Sequence, residues 1–270
     1  MRIRIVDAFT DRPFAGNPAG VVLLDTFPAD SWLQQVATEV NHAETAFAHP
    51  LPAGGEADWA LRWFTPATEV DLCGHATLAT AHILRSTGAA RGTIRFATRA
   101  AGILTATANE DGSITLDFPT APLTEVEIPA GVAEALGAEP VATYDTGPHC
   151  GDLLIELADE KTVRALTPDH KALVQHSERG IIATARAEDP TRGYDFVSRG
   201  FFPRVGIDED PVTGSAHTAL APYWSPRLGS DDLTGLQASA RTGLVGTSLR
   251  GERTLLTGHA VTTVDGELLA

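Results

Sequence analysis

Two stretches, far apart in the chain, gather side chains able to move protons around a glycine. In "DLCGHATLATAH", Asp71 to His82, Cys73 and His75 flank Gly74; in "DPVTGSAHTALA", Asp210 to Ala221, the residues Asp210, Ser215 and His217 surround Gly214. Each glycine is followed by a run of Ala, Thr and Leu that reads as the opening of an apolar helix. The first turn of a helix has backbone N–H groups without intrahelical acceptors, and the macrodipole adds partial positive charge there. Two such ends aimed at one point make an anion site that needs no basic side chain, with Gly74, Gly214 and Ser215 as the amide donors. The sequence has no Walker or G-x-G-x-x-G pattern, which favours a carboxylate over a nucleotide.

A carboxylic acid that shuttles protons at neutral pH must be tuned upward from about 4, and burial among apolar neighbours does this. Glu44 in "NHAETAFAHP" fits, with Ala43, Ala46 and Phe47 beside it. His75 and Asp210 are its companions. Cys73, Asn17 of "FAGNPAG" and His217 rank second. Taken singly, each residue has a plainer reading: Asp210 before Pro211 forms a turn, a histidine at a helix start caps it, and a free cysteine is a small hydrophobe. Cys150 has no feature beyond packing. Cys73 and His75, one residue apart at a helix start, are not expected to point at each other, so a cysteine hydrolase is the poorest reading. Neither cysteine has a zinc-ligand spacing, and no metal or cofactor site is expected.

The elements that must position these residues are mostly strands. "RIRIVDAF" at 2–9 and "GVVLL" at 20–24 alternate or run apolar as strands joined by a turn-rich loop. A helix follows, capped by Asp30, with Trp32, Leu33, Val36 and Val40 on one face and Asn41 at its end. "ALRWFTP" reads as a strand, 71–87 as a helix closed by Gly88, and 93–98, 102–107 and 113–118 as an antiparallel meander. The Gly74 helix is apolar nearly all round, the mark of burial on every side. Residues 119–131 lack periodicity and form the best linker. A second set follows: a short helix at 130–136, strands near 141–145 and 152–157, a capped segment at 160–175, strands at 180–185 and 194–202, the second glycine turn, and closing strands at 252–257 and 259–264. The two turns lie about half the chain apart, which favours a pseudo-duplicated pair of domains, each a strand-rich shell around one helix.

At 270 residues, either one large domain or two smaller ones can bury a core. The hydrophobic fraction of 43% and charged fraction of 20% are those of a globular protein. A formal charge of −15, with Lys161 and Lys171 the only lysines, opposes nucleic acid and anionic lipid as partners. No window approaches a membrane span or a signal region, so a cytoplasmic protein is expected.

Five stretches in order along the chain, "VDAFTDRPFAGNPAGVVLL", "NHAETAFAHP", "WFTPATEVDLCGHATLATAHIL", "GIDEDPVTGSAHTALAPYW" and "GHAVTTVDGELL", resemble the PhzF-like (phenazine biosynthesis) isomerases. That resemblance implies the α+β fold of diaminopimelate epimerase: two pseudo-symmetric domains, each a barrel-like, mostly antiparallel sheet around a central helix. The expected domains are 1–118 and 119–270, the last strand being available to the first domain, with the active site in the cleft between them. It further implies no cofactor or metal, a homodimer, Glu44 as the proton carrier, His75 and Asp210 lining the site, and the amides of Gly74, Gly214 and Ser215 on a substrate carboxylate. Two departures stand out. Ala43 replaces the serine that many members have before the glutamate, and the paired cysteines of the related epimerases are reduced here to Cys73. The expected activity is a cofactor-independent double-bond shift on a small amino- or hydroxy-substituted carboxylic acid, in secondary or amino-acid-derived metabolism. The alternatives are racemisation or epimerisation at an α-carbon and a non-catalytic carboxylate-binding protein.

Overall fold

The computed structural model describes residues 1–269, and the chain divides into two compact units, Met1–Asp117 with Thr257–Ala270, and Phe118–Leu256. The expected second domain of 119–270 is therefore cut back. The strand Ala260–Glu267 pairs antiparallel with Arg2–Ala8, so the end of the chain completes the first unit.

In the first unit Arg2–Ala8 runs antiparallel to Asn17–Leu23, which lies parallel to Glu44–Pro50. Glu44–Pro50 is antiparallel to Trp59–Phe64, which takes on the short strand Glu69–Val70 and lies parallel to Thr93–Thr98. Thr93–Thr98 then pairs antiparallel with Ile103–Ala108. The helix Gly74–Ser86 follows the short strand and packs on four of these strands. His75 to Ala81, Ile83 and Leu84 are all buried along it, as its all-round apolar sequence requires. Two threonines are tolerated there because Thr77 and Thr80 donate back to the carbonyls of Cys73 and Ala76, at 2.6 and 2.7 Å.

The second unit repeats the same order of pairings. Ala142–Asp145 is antiparallel to Asp152–Glu156, which is parallel to Gly180–Arg186. Gly180–Arg186 is antiparallel to Phe196–Phe202, which takes on the short Ile207–Asp210 and lies parallel to Asp232–Gln237. Asp232–Gln237 pairs antiparallel with Gly243–Arg250. The helix Gly214–Leu228 again follows the short strand. It contains Pro222, which has no N–H for the Thr218 carbonyl; the Ala121 N–H donates to that carbonyl instead, at 3.2 Å, so the helix survives its proline. Trp224 Nε1 donates to Thr184 Oγ1 at 3.0 Å and the Tyr223 hydroxyl to Glu156 at 2.6 Å, which fixes the rotation of this helix against the sheet.

Several local expectations are corrected. Asp30 is the first residue of the helix Asp30–Val40 rather than its cap, because its carboxylate pairs with Arg62 at 2.8 Å. The linker 119–131 contains the strand Thr124–Val126, whose residues are all exposed and which is held by backbone pairing to Ala142–Asp145. Asp232–Gln237 and Gly243–Arg250 are strands where the sequence reading placed none. Among the described residues no helix is long and apolar enough to cross a membrane.

Candidate active site

Glu44 opens its strand rather than trailing the preceding helix, and its carboxylate is 14% exposed. Its Oε2 lies 3.3 Å from Nε2 of His75, on the first turn of the Gly74 helix. Asn17, at the start of the parallel neighbour strand, places its side-chain Nδ2 3.2 Å from His75 Nδ1. An amide nitrogen can only donate, so Nδ1 accepts and the ring proton sits on Nε2, which lies near Glu44 without hydrogen-bonding to it. Burial lowers the His75 pKa to about 3, and the charge of His42 works in the same direction. At neutral pH this imidazole is uncharged and stands beside Glu44 as a neutral polar neighbour.

Cys73 Sγ lies 3.5 Å from His75 Nδ1, which overturns the expectation that the two do not face each other. The extended backbone of Cys73, at φ −145°, swings its side chain back over the first turn. A neutral imidazole gives a thiolate no counter-charge, so the contact does not make the activated pair that a cysteine hydrolase needs. Donor atoms of Glu44, Cys73 and His75 all lie within 4.8 Å of one another, close enough for one ion. Yet the carboxylate and the thiol face opposite ring nitrogens. The arrangement suits proton transfer better than metal ligation. Thr45 does not replace the hydroxyl missing at Ala43, since strand alternation turns it to the other face, against Gly20.

In the second unit the Thr213 hydroxyl donates to Asp210 Oδ2 at 2.5 Å. Threonine is a good helix cap, but here its hydroxyl donates to Asp210 and accepts from Gln237 Nε2 at 3.1 Å, and it makes no cap bond to the helix that starts at Gly214. Gln237, fully buried, fixes the turn: its Nε2 donates to the Asp210 carbonyl at 2.8 Å, and its Oε1 accepts from the Thr213 N–H at 2.8 Å. His217 falls out of the candidate set. It lies one helical turn past Thr213, donates Nδ1–H to that residue's carbonyl at 2.8 Å, and is fully buried against Phe196. Burial lowers its pKa to about 4, and its role is to hold the turn. The sequence reading missed Asp152 and Arg179. The Asp152 carboxylate, fully buried, receives Nε and Nη2 of Arg179 at 2.8 and 2.5 Å, and Nη2 also donates to Ser215 Oγ at 2.9 Å. A basic side chain thus stands at the second glycine turn, where none was expected.

The two buried histidines fix a pH dependence of stability. Their folded-state values lie below the ordinary 6.5, so at mildly acid pH the unfolded chain binds more protons than the native one. The stabilisation is full above about 6.5 and is lost as the pH falls from there toward about 4 for His217 and about 3 for His75. The urea midpoint is expected to drop between pH 7 and 5, and to drop less in His217→Asn.

Residues 6–266 match the family model described as phenazine biosynthesis-like protein, nearly the whole chain. The chain belongs to this phenazine biosynthesis-like family. It is 46% identical over 270 residues to an uncharacterized isomerase of Halalkalibacterium halodurans, covering 99% of this chain and 98% of the relative. A solved PhzF family protein of Enterococcus faecalis superposes with a TM-score of 0.90 at 39% identity, covering 100% and 99% of the two chains. The fold extends further, to a hydroxyproline epimerase of Agrobacterium vitis at a TM-score of 0.62 and 15% identity, covering 98% and 91%. This member of the phenazine biosynthesis-like family is an isomerase with the α+β, diaminopimelate epimerase-like fold.

Proposed function

We propose that the protein shifts a double bond in a small amino- or hydroxy-substituted carboxylic acid by moving one proton through Glu44, without a cofactor. The Glu44 carboxylate takes a proton from one carbon as the C–H electron pair moves into the neighbouring π system. The protonated carboxyl, 14% exposed, exchanges with solvent and then delivers a proton to a second carbon. The observation that carries this reading is the Nε2 of a neutral His75 at 3.3 Å from Glu44, with Asn17 fixing the ring. His75 orients the carboxylate and does not itself ionise. The same reading assigns Asp210 to a polar group of the substrate, and the amides of Gly74, Gly214 and Ser215 to its carboxylate. It takes the enzyme as a cytoplasmic homodimer. Ile128 and Val141, 47% and 58% exposed, which lie just outside the paired strands Thr124–Val126 and Ala142–Asp145, support self-association.

Racemisation at an α-carbon is the second reading, favoured by Cys73 lying beside His75 Nδ1 as a second proton-bearing group. Turnover in deuterated water separates the two. A double-bond shift puts solvent deuterium at the new carbon and leaves a constitutional isomer. Racemisation puts it at the original carbon, with loss of optical rotation and sensitivity to Cys73→Ala. Product free of deuterium would overturn both.

A further inference from the structure

The second unit holds a buried ion pair that the proton transfer does not use. Asp152 has a fully buried carboxylate, and Arg179 keeps 32% of its side chain exposed. Arg179 spends Nε and Nη2 on the carboxylate, and its guanidinium lies over the Phe202 ring at 5.1 Å. Charged pairs in such positions are replaceable by apolar residues at little or no cost in stability, so stability alone gives no reason to keep one here. What the pair achieves is placement. Asp152 opens one strand and Arg179 immediately precedes the parallel strand Gly180–Arg186, Asp152 standing opposite Gly180 in register, and the fork is thereby fixed at Ser215 on the first turn of the Gly214 helix. Because Nη2 donates to Ser215 Oγ, that hydroxyl has its own proton to give elsewhere. Nη1 is the guanidinium donor that neither Asp152 nor Ser215 takes.

Resting on the reading of the second glycine turn as the carboxylate end of the site, the geometry points to Arg179 as the residue that selects an acid over its uncharged analogue, with Asp152 and Ser215 as its positioning partners. A helix start alone supplies partial charges. The guanidinium, locked by its fork on Asp152, adds Nη1 as a charge-assisted donor. The protonated state is secure, since Asp152 raises the Arg179 pKa against the opposing effect of burial.

Calorimetric titration with anthranilate and its uncharged amide, anthranilamide, tests this. The wild type is expected to bind the acid at least about tenfold more tightly, as a hydrogen bond to a charged group implies. The double variant Asp152→Asn/Arg179→Gln, which leaves two neutral amides in the buried site rather than an unpaired charge, is expected to lose that preference while binding anthranilamide as before. Arg179→Lys keeps the charge without the fork and should restore part of it, which a purely structural role would not produce. Absence of a preference for the acid in the wild type, or equal weakening of both ligands in the double variant with no recovery in Arg179→Lys, would overturn the assignment. A wild type that prefers the acid yet incorporates no deuterium would sink the proposed reaction and leave this inference standing.

Discussion

Glu44→Gln is expected to lower turnover by about 10²–10⁴-fold, the range contributed by a positioned general base. Glutamine keeps the shape of the side chain, so folding and substrate affinity should change little. What is lost is the ability to bind the transferred proton. The alternative carrier, His75, is poorly matched to the task. With a pKa lowered to about 3 by burial it is a weak base at neutral pH, and its remaining N–H is far too weakly acidic to protonate carbon. The Glu44 carboxylate, 14% exposed and 3.3 Å from that neutral imidazole, is the better candidate. Exchange of substrate C–H for deuterium, followed by proton NMR in wild type and variant, gives the comparison. An exchange rate within about threefold of wild type in Glu44→Gln would exclude Glu44 as the carrier, because even the lower bound for a general base is larger.

In the first unit the sequence pointed to Glu44 and His75, which the structure brings to 3.3 Å, because their signals are local. Glu44 and His75 each sit beside a change of periodicity, a strand start and a helix start, and glycine marks the second. The second unit was harder. Asp152 and Arg179 meet only through the register of two parallel strands, and nothing near either residue in sequence marks the other. Gln237 likewise reaches back to Thr213 from a strand the sequence concealed. That strand, Asp232–Gln237, has its alternation interrupted by Gly235 at an inward position. A Cβ there would lie 2.5 Å from the Phe196 ring and 3.0 Å from His217 Nε2, so glycine stands where packing is tightest, and the hydrophobic pattern is weakest at the same place. His217 misled for a related reason. Its helical position matches its role as a brace on the Thr213 carbonyl, but sequence alone does not say toward which side of a helix start a histidine turns. The pseudo-duplication was legible in only a dozen residues, whereas the order of strand pairings repeats through both units, because pairing depends on backbone and leaves side chains free to diverge.

The largest loss of stability from one added methyl group is expected at Gly16. The loop from Phe9 to Gly16 joins the first two strands and is strained at both ends: Phe9 and Phe14 hold φ of 61° and 65°, unusual for side-chain-bearing residues, and Gly16 holds φ of 65°. Local bonds keep it there. The buried Asp7 carboxylate accepts from the Phe14 N–H at 2.7 Å, and the Thr10 N–H donates to the His259 carbonyl at 3.2 Å. A Cβ on Gly16 would lie 2.1 Å from the Ala8 carbonyl oxygen, a backbone atom inside a paired strand that cannot rotate away. Gly16→Ala therefore combines a left-handed penalty with displacement of the ladder, at a cost of about 3–5 kcal/mol. For a chain of this size that lowers the melting midpoint by on the order of 10 °C. Asn17 is the next residue, and its amide orients His75. Turnover should accordingly fall at temperatures where the variant is still folded, as the ring loses the amide that holds it beside Glu44. A midpoint shifted by less than about 2 °C, well under the shift that a strained backbone alone would cause, would mean that the loop gives way and is not the fixed support for Asn17 inferred from its strain.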